Sequence, residues 1–186
     1  AAEIDTDEFA AEIHHKLAIN LSAEQLKVLG QIFSHRIAII TGGPGTGKTT
    51  LLRSISTIFE TMGKRVLLAA PTGRAARRLS EVTRKKARTI HRLLGVNFTA
   101  GGFIRDRDHT LDADAVIIDE ASMVDTLLMY SLVEAVPVSA HLILVGDVLQ
   151  LPAIGPGNVL SDMIDSASIP VFSLNKIFRL DSESAI

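Results

Sequence analysis

Short apolar runs recur along this chain, each leading into a loop with a helical pattern beyond it. The runs at 37–41, 66–70, 115–119, 141–146 and 169–173 are rich in Ile, Leu, Val and Ala, with little of the apolar–polar alternation of a half-exposed strand. Strands of this kind, separated by helical stretches, predict a mostly parallel sheet covered by helices on both faces. One helix start is explicit. Ser22-Ala23-Glu24-Gln25 has the form of a capping box, in which a hydroxyl and an amide three residues later satisfy each other's free N–H groups, and Leu26, Leu29 and Phe33 follow at helical spacing. Upstream, Phe9, Ile13 and Leu17 predict a short helix within 5–19, so that 1–20 reads as a connecting segment and 21–186 as the folded lobe. Residues 96–110 interrupt the rhythm: Gly101-Gly102, between Val96-Asn97-Phe98 and Phe103-Ile104-Arg105, predicts a small β-hairpin inserted in the α/β core.

Composition narrows the class. A chain of 186 residues that is 47% hydrophobic can bury one full core. None of its apolar runs approaches the roughly eighteen residues of a membrane-spanning helix. The absence of cysteine rules out disulfides, iron–sulfur clusters and thiolate zinc sites, and it agrees with a reducing, cytoplasmic setting, while the short apolar runs predict no membrane contact. The chain starts Ala-Ala-Glu rather than with Met, which leaves open what precedes it. The net charge of -2 conceals a division that matters more: residues 64–107 carry 12 Lys/Arg against 2 Asp/Glu. So basic a block points to a polyanion, the plainer alternative being a solvated helix face.

Two motifs carry chemistry. Gly42-Gly43-Pro44-Gly45-Thr46-Gly47-Lys48-Thr49 fits the phosphate-binding loop pattern G-x-x-x-x-G-K-[ST], and it lies between a predicted strand and a predicted helix, as the motif requires. The glycines let backbone N–H groups turn toward phosphate oxygens, Lys48 reaches the β- and γ-phosphates, and Thr49 holds Mg²⁺. Ala115 to Ile118 forms an apolar strand ending in Asp119-Glu120, at the sheet edge where ligands bind. There Asp119 would hold Mg²⁺ through water and Glu120 would polarise the attacking water. Asp119 as a simple cap of a helix through Ser122 to Val133 is the alternative, and the phosphate loop beside it favours the catalytic reading. An acid poised for water is not what a small kinase needs. A guanine reader should show Asn-Lys-x-Asp, whereas Asn175-Lys176-Ile177-Phe178 has Phe in place of that Asp. ATP hydrolysis is the reading that remains.

At this point the ordered set becomes specific. Glu24-Gln25, Gly42 to Thr50, Ala70-Pro71-Thr72-Gly73-Arg74-Ala75-Ala76, Thr89-Ile90-His91-Arg92-Leu93-Leu94-Gly95, Asp119-Glu120-Ala121-Ser122, Val145 to Pro152 and Ile177-Phe178-Arg179 together resemble the RecD-like helicases of superfamily 1, over residues 20 to about 180. The resemblance implies a RecA-like P-loop lobe of an ATP-dependent motor moving 5′ to 3′ on single-stranded DNA. It also implies a second RecA-like lobe in the same protein and, in some members, nuclease or repair partners in the exodeoxyribonuclease V complex. The short path from Gly157 to Arg179 is more like the stand-alone branch.

By the same resemblance the loop residues Gly43, Pro44, Gly45, Thr46, Gly47, Lys48, Thr49 and Thr50 bind ATP and Gln25 contacts adenine. Gln150 senses the γ-phosphate, and Arg179 reaches toward it from the end of the lobe. Gln25 also occupies the capping-box position, which by itself would explain it. Thr72, Gly73, Arg74 and His91 are implied at the single-stranded DNA, and the 96–110 insert as the wedge at a duplex junction. Arg74, Arg77 and Arg78, at i, i+3 and i+4, share one helical face suited to a phosphate track, with Ala75, Ala76 and Leu79 able to pack inward. Only 4% of residues are aromatic, so binding should rest on backbone charge more than base stacking, with Phe98 and Phe103 better suited to hairpin packing. A regulatory nucleotide-binding module and an RNA helicase are the alternative functions.

Overall fold

The computed structural model describes residues 21–97, 101–150 and 155–175. The apolar runs form parallel strands β1 (Ile37–Gly42), β2 (Val66–Ala70), β4 (Ala115–Ile118), β5 (His141–Gly146) and β6 (Val171–Leu174). A further strand, β3 (Ala87–Thr89), completes a six-stranded sheet of order β3-β2-β4-β5-β1-β6, in which every ladder is parallel. The edge strand β3 is too short and too polar to register as an apolar run; what fixes it is pairing with β2, Leu68 opposite Ala87. The last strand starts two residues later than its apolar pattern. Pro170 has no N–H to offer a ladder, although its carbonyl accepts from Ile39 N at 2.9 Å.

Burial explains why the strands do not alternate. Ile40, Ile117, Ile143 and Val145 pack into a core with Leu29, Ile32, Leu51, Leu52 and Ile55, on helices α1 (Ala23–Ile32) and α2 (Lys48–Thr61). Their neighbours in sequence, Ile39, Val116, Ile118, Leu142 and Leu144, point to the opposite face. There they meet α4 (Ile90–Leu94), α5 (Thr126–Ala135) and α6 (Val159–Asp165). Both faces are covered, so both sets must be apolar. Helix α3 (Gly73–Thr83) connects β2 to β3, burying Ala76 and Leu79. Among the described residues no helix is long and apolar enough to cross a membrane.

Two local expectations change. No single helix runs from Ser122 to Val133: a 3-10 turn, Ala121–Met123, precedes α5, whose cap is Asp125, accepting from Leu128 N at 2.8 Å. Asp119 is therefore not that helix's cap. The insert is smaller than 96–110. Among the described residues one antiparallel bridge joins Val96 to Phe103, with Asn97 N donating to Gly102 O at 3.0 Å and Arg105 N to Leu94 O at 2.9 Å, and residues 106–114 return to β4 without strand pairing. Gly101 and Gly102 have φ of 74 and 77, the left-handed backbone that favours glycine. Phe103 packs against the core on the α5 face, in line with hairpin packing. The helix within 5–19, Phe98 and Arg179 lie outside the described residues.

Candidate nucleotide-binding site

The loop between β1 and α2 is built by its glycines. Gly45 and Gly47 take φ of 77 and 84, closed to most side chains at little cost, and this turns successive N–H groups toward the mouth of the loop. Gly42 serves by lacking a side chain: a Cβ there would stand 2.7 Å from Leu174 O and 2.8 Å from Thr46 Oγ1. Thr46 is buried and clamps the turn by donating its hydroxyl to Gly43 O at 2.9 Å, while Pro44 is exposed at the tip. Lys48 opens α2, and its Nζ donates to the carbonyls of Gly42 and Gly43, the latter at 2.9 Å. The ammonium thus lies across the loop, against the face that phosphate oxygens would approach.

Gln25 fills its capping-box position and also reaches the loop. Its Oε1 accepts from Ser22 N at 2.9 Å, completing the capping box, and its Nε2 donates to Gly47 O at 3.2 Å. With 2% exposure it fastens the start of α1 to the loop. Gln25, Gly45, Gly47, Lys48, Thr49, Thr50 and Arg78 line an open cleft of about 330 Å³. Spacing groups Arg78 with Arg74 and Arg77, but it stands on the cleft wall.

Asp119 and Glu120 follow β4. Asp119 N continues the ladder to Ala69 O at 2.9 Å, and its Oδ1 accepts from Glu120 N at 3.0 Å. Burial pushes the Asp119 carboxyl up to about 6; the charge of Glu120 adds to this, while the Glu120 N–H and the Lys48 and Arg78 cations oppose it. Glu120 has φ 54, a left-handed conformation costing of order 1–2 kcal/mol in a residue with a Cβ, and such outliers concentrate at functional sites. Next to the pair, Ser122 is 5% exposed, and its Oγ has no hydrogen-bond partner among the described residues. Sequence reasoning passes over it, since nothing marks a serine as orphaned until its neighbours are known.

The raised Asp119 pKa has a consequence for stability. A carboxyl with folded pKa about 6, against an ordinary 3.8, binds more protons folded than unfolded between those values. Stability therefore falls as pH rises through this window, by about 3 kcal/mol at the upper limit. Without nucleotide or divalent cation, Asp119→Asn should raise stability at pH 7.5 by about 1–3 kcal/mol, a gain that fades as both proteins approach pH 4. Urea denaturation of the two across that range measures it. Equal midpoints at pH 7.5 would mean that the carboxylate is not held against its preference.

The remaining predicted residues lie past the carboxyl ends of neighbouring strands. Gln150 is in the turn after β5, its N–H donating to Asp147 O at 3.1 Å and its side chain exposed, outside the cleft wall. Thr72 caps α3, accepting from Ala75 N at 3.2 Å; Gly73 has open space where a Cβ would stand, and Arg74 is exposed. His91 is exposed at the start of α4, its ring centroid 5.7 Å from that of Phe103. Strand order thus sets His91 after β3, Thr72 to Arg74 after β2, the acid pair after β4, Gln150 after β5 and Lys48 after β1, along one edge.

A family model described as an AAA domain matches residues 25–156, from Gln25 through the loop, the acids and Gln150. The chain is 43% identical to the ATP-dependent RecD2 DNA helicase of Deinococcus radiodurans over 166 residues, 89% of this chain and 23% of that protein. It is 40% identical to the RecBCD enzyme subunit RecD of Mycobacterium tuberculosis over 78% of this chain and 29% of that one. The chain therefore spans between a fifth and a third of the length of these curated relatives. Among solved structures, the Pif1 helicase from Candida albicans superposes with a TM-score of 0.67 at 28% identity, over 86% of this chain and 41% of that one. A Bacteroides sp Pif1 in complex with ADP-AlF4 gives 0.56 at 26% identity, over 87% and 43%.

Proposed function

This chain belongs to the AAA domain family, and from its RecD-like sequence and helicase-lobe fold we infer that it is the first ATP-binding lobe of a DNA helicase moving 5′ to 3′ on single strands. The observation that carries this reading is a single sheet edge holding a phosphate loop after β1, a poised acid pair after β4 and, after the next two strands β2 and β3, Thr72 with the exposed Gly73, Arg74 and His91.

ATP enters by exchange. Its phosphates take the N–H groups of Gly45, Thr46 and Gly47 and draw Lys48 from the two carbonyls it now caps. Gln25 and Thr50 line the same cleft, and Gln25 is the residue we assign to adenine. Thr49 and Asp119 fit a Mg²⁺ ion: both offer hard oxygen, Thr49 lines the cleft, and a cation would relieve a carboxylate that burial disfavours in charged form. When bound, that ion neutralises charge on the β- and γ-phosphate oxygens. Glu120 orients the attacking water, and the left-handed backbone under it fixes where its carboxylate stands. Gln150 senses the γ-phosphate, joined by Arg179 and by arginines of a second RecA-like lobe. Thr72, Gly73, Arg74 and His91 grip the strand, and the Val96–Phe103 insert stands at the junction with duplex. Nuclease or repair partners fit the RecBCD-type relatives.

The test is ATP turnover by the full-length protein without nucleic acid, with single-stranded DNA, and with matched RNA. DNA should stimulate turnover strongly and RNA weakly. Equal or greater stimulation by RNA would make this an RNA motor, and stimulation by neither would make it a regulatory nucleotide-binding module.

A further inference from the structure

Arg78 stands apart from the arginines around it. Arg74, Arg77 and Arg78 are all on α3, yet Arg78 alone of the three lines the cleft with Lys48, Thr49 and Thr50. The helix beneath is fixed: Ala76 and Leu79, on either side of Arg77 and Arg78, are buried, and Leu79 belongs to the same core as Leu51, Leu52 and Ile55 of the loop's own helix. Arg78 therefore cannot leave the cleft by a roll of α3 without opening that core. No carboxylate pairs with it among the described residues. Lys48 lines the same cleft, so the guanidinium and the ammonium flank one space. Two cations across an open cleft repel unless something anionic lies between them, and a guanidinium matches phosphate oxygens with paired N–H groups.

We propose that Arg78 is a phosphate-binding residue of the nucleotide site, contacting the triphosphate of ATP from the helix whose first turn carries the proposed DNA contacts. The assignment rests on the ATP-binding reading above. It removes Arg78 from the phosphate track inferred from sequence spacing and leaves Arg74 and Arg77 there. It also gives α3 two ligands, with Arg74 at its exposed start and Arg78 one turn further on.

Four variants of the full-length protein test this: Arg78→Ala, Arg78→Lys, Lys48→Ala and the double reversal Arg74→Glu, Arg77→Glu. Nucleotide binding is read with a fluorescent non-hydrolysable ATP analogue and with fluorescent ADP. DNA binding is read by anisotropy of a labelled single strand across a salt titration. Arg78→Ala should weaken the triphosphate analogue about 10-fold and ADP less, with Arg78→Lys recovering part of the loss. Its DNA salt slope should match the wild type, whereas the double reversal should flatten that slope by nearly one for each phosphate no longer neutralised. Wild-type affinity for the analogue in Arg78→Ala, or a flattened DNA slope in that variant, would overturn the assignment. Lys48→Ala separates the levels: if it too binds the analogue normally, the ATP-site reading itself fails, and if it alone loses binding, only the role of Arg78 does.

Discussion

Lys48→Ala should lower ATP hydrolysis by the full-length protein at least about 10²–10³-fold, the usual cost of removing one donor aimed at developing charge, while single-stranded DNA binding stays largely intact. The separation follows from strand order. Lys48 stands after β1, whereas Thr72 to Arg74 stand after β2, with β4 and β5 between them in the sheet. The substitution also frees the Gly42 and Gly43 carbonyls, but the loop keeps its Thr46 clamp and its left-handed glycines, so the fold should survive. Turnover is measured beside DNA anisotropy on one preparation. Unchanged turnover would remove the phosphate-loop assignment; loss of both activities would mean that the two ends of the edge are not separable.

The second large effect concerns the lobe by itself. The 186 residues prepared alone should hydrolyse ATP about 10³–10⁵-fold more slowly than a full-length protein carrying them, the range for an arginine delivered across such an interface in P-loop enzymes. The phosphate loop would be intact, but charge developing on the γ-phosphate would lack its partners from a second lobe. Strand displacement on a duplex with a 5′ single-stranded tail should be absent, because translocation needs two lobes that grip in alternation. Robust ATP-dependent displacement by this chain alone, seen on a gel, would defeat the half-motor reading.

What is legible in the sequence is what spacing alone determines. A phosphate loop demands its glycines and lysine at fixed intervals, and a strand buried on both faces must be apolar throughout, so β1, β2, β4 and β5 and the loop stand where the pattern places them. What escapes depends on partners distant in sequence. Ala87 to Thr89 carries no apolar signature and becomes a strand only because Leu68 to Ala70 offers an edge. Asp125 takes over as a cap because the chain turns at Ala121–Met123 before α5 begins. Gln25 reads as a cap from its local motif, and its second bond, to the Gly47 carbonyl, is invisible until the loop is folded against it. That Arg78 lines the cleft escapes for a related reason: i, i+3 and i+4 define a face but not what that face looks at.

The strand carrying the phosphate loop is flanked by the two latest strands of the sheet. Ile37 is opposite Leu142, and Ile39 opposite Val171. During synthesis this segment leaves the ribosome with neither neighbour yet made, so Ile39 and Ile40, wholly buried in the finished sheet, must wait in water or in the keeping of a chaperone. Pairing over such separations is slow, and an apolar strand with two open edges invites wrong partners meanwhile. Gly42 draws up against the Leu174 carbonyl only when β6 arrives, so the loop that begins so early in the sequence is among the last parts of the sheet to mature.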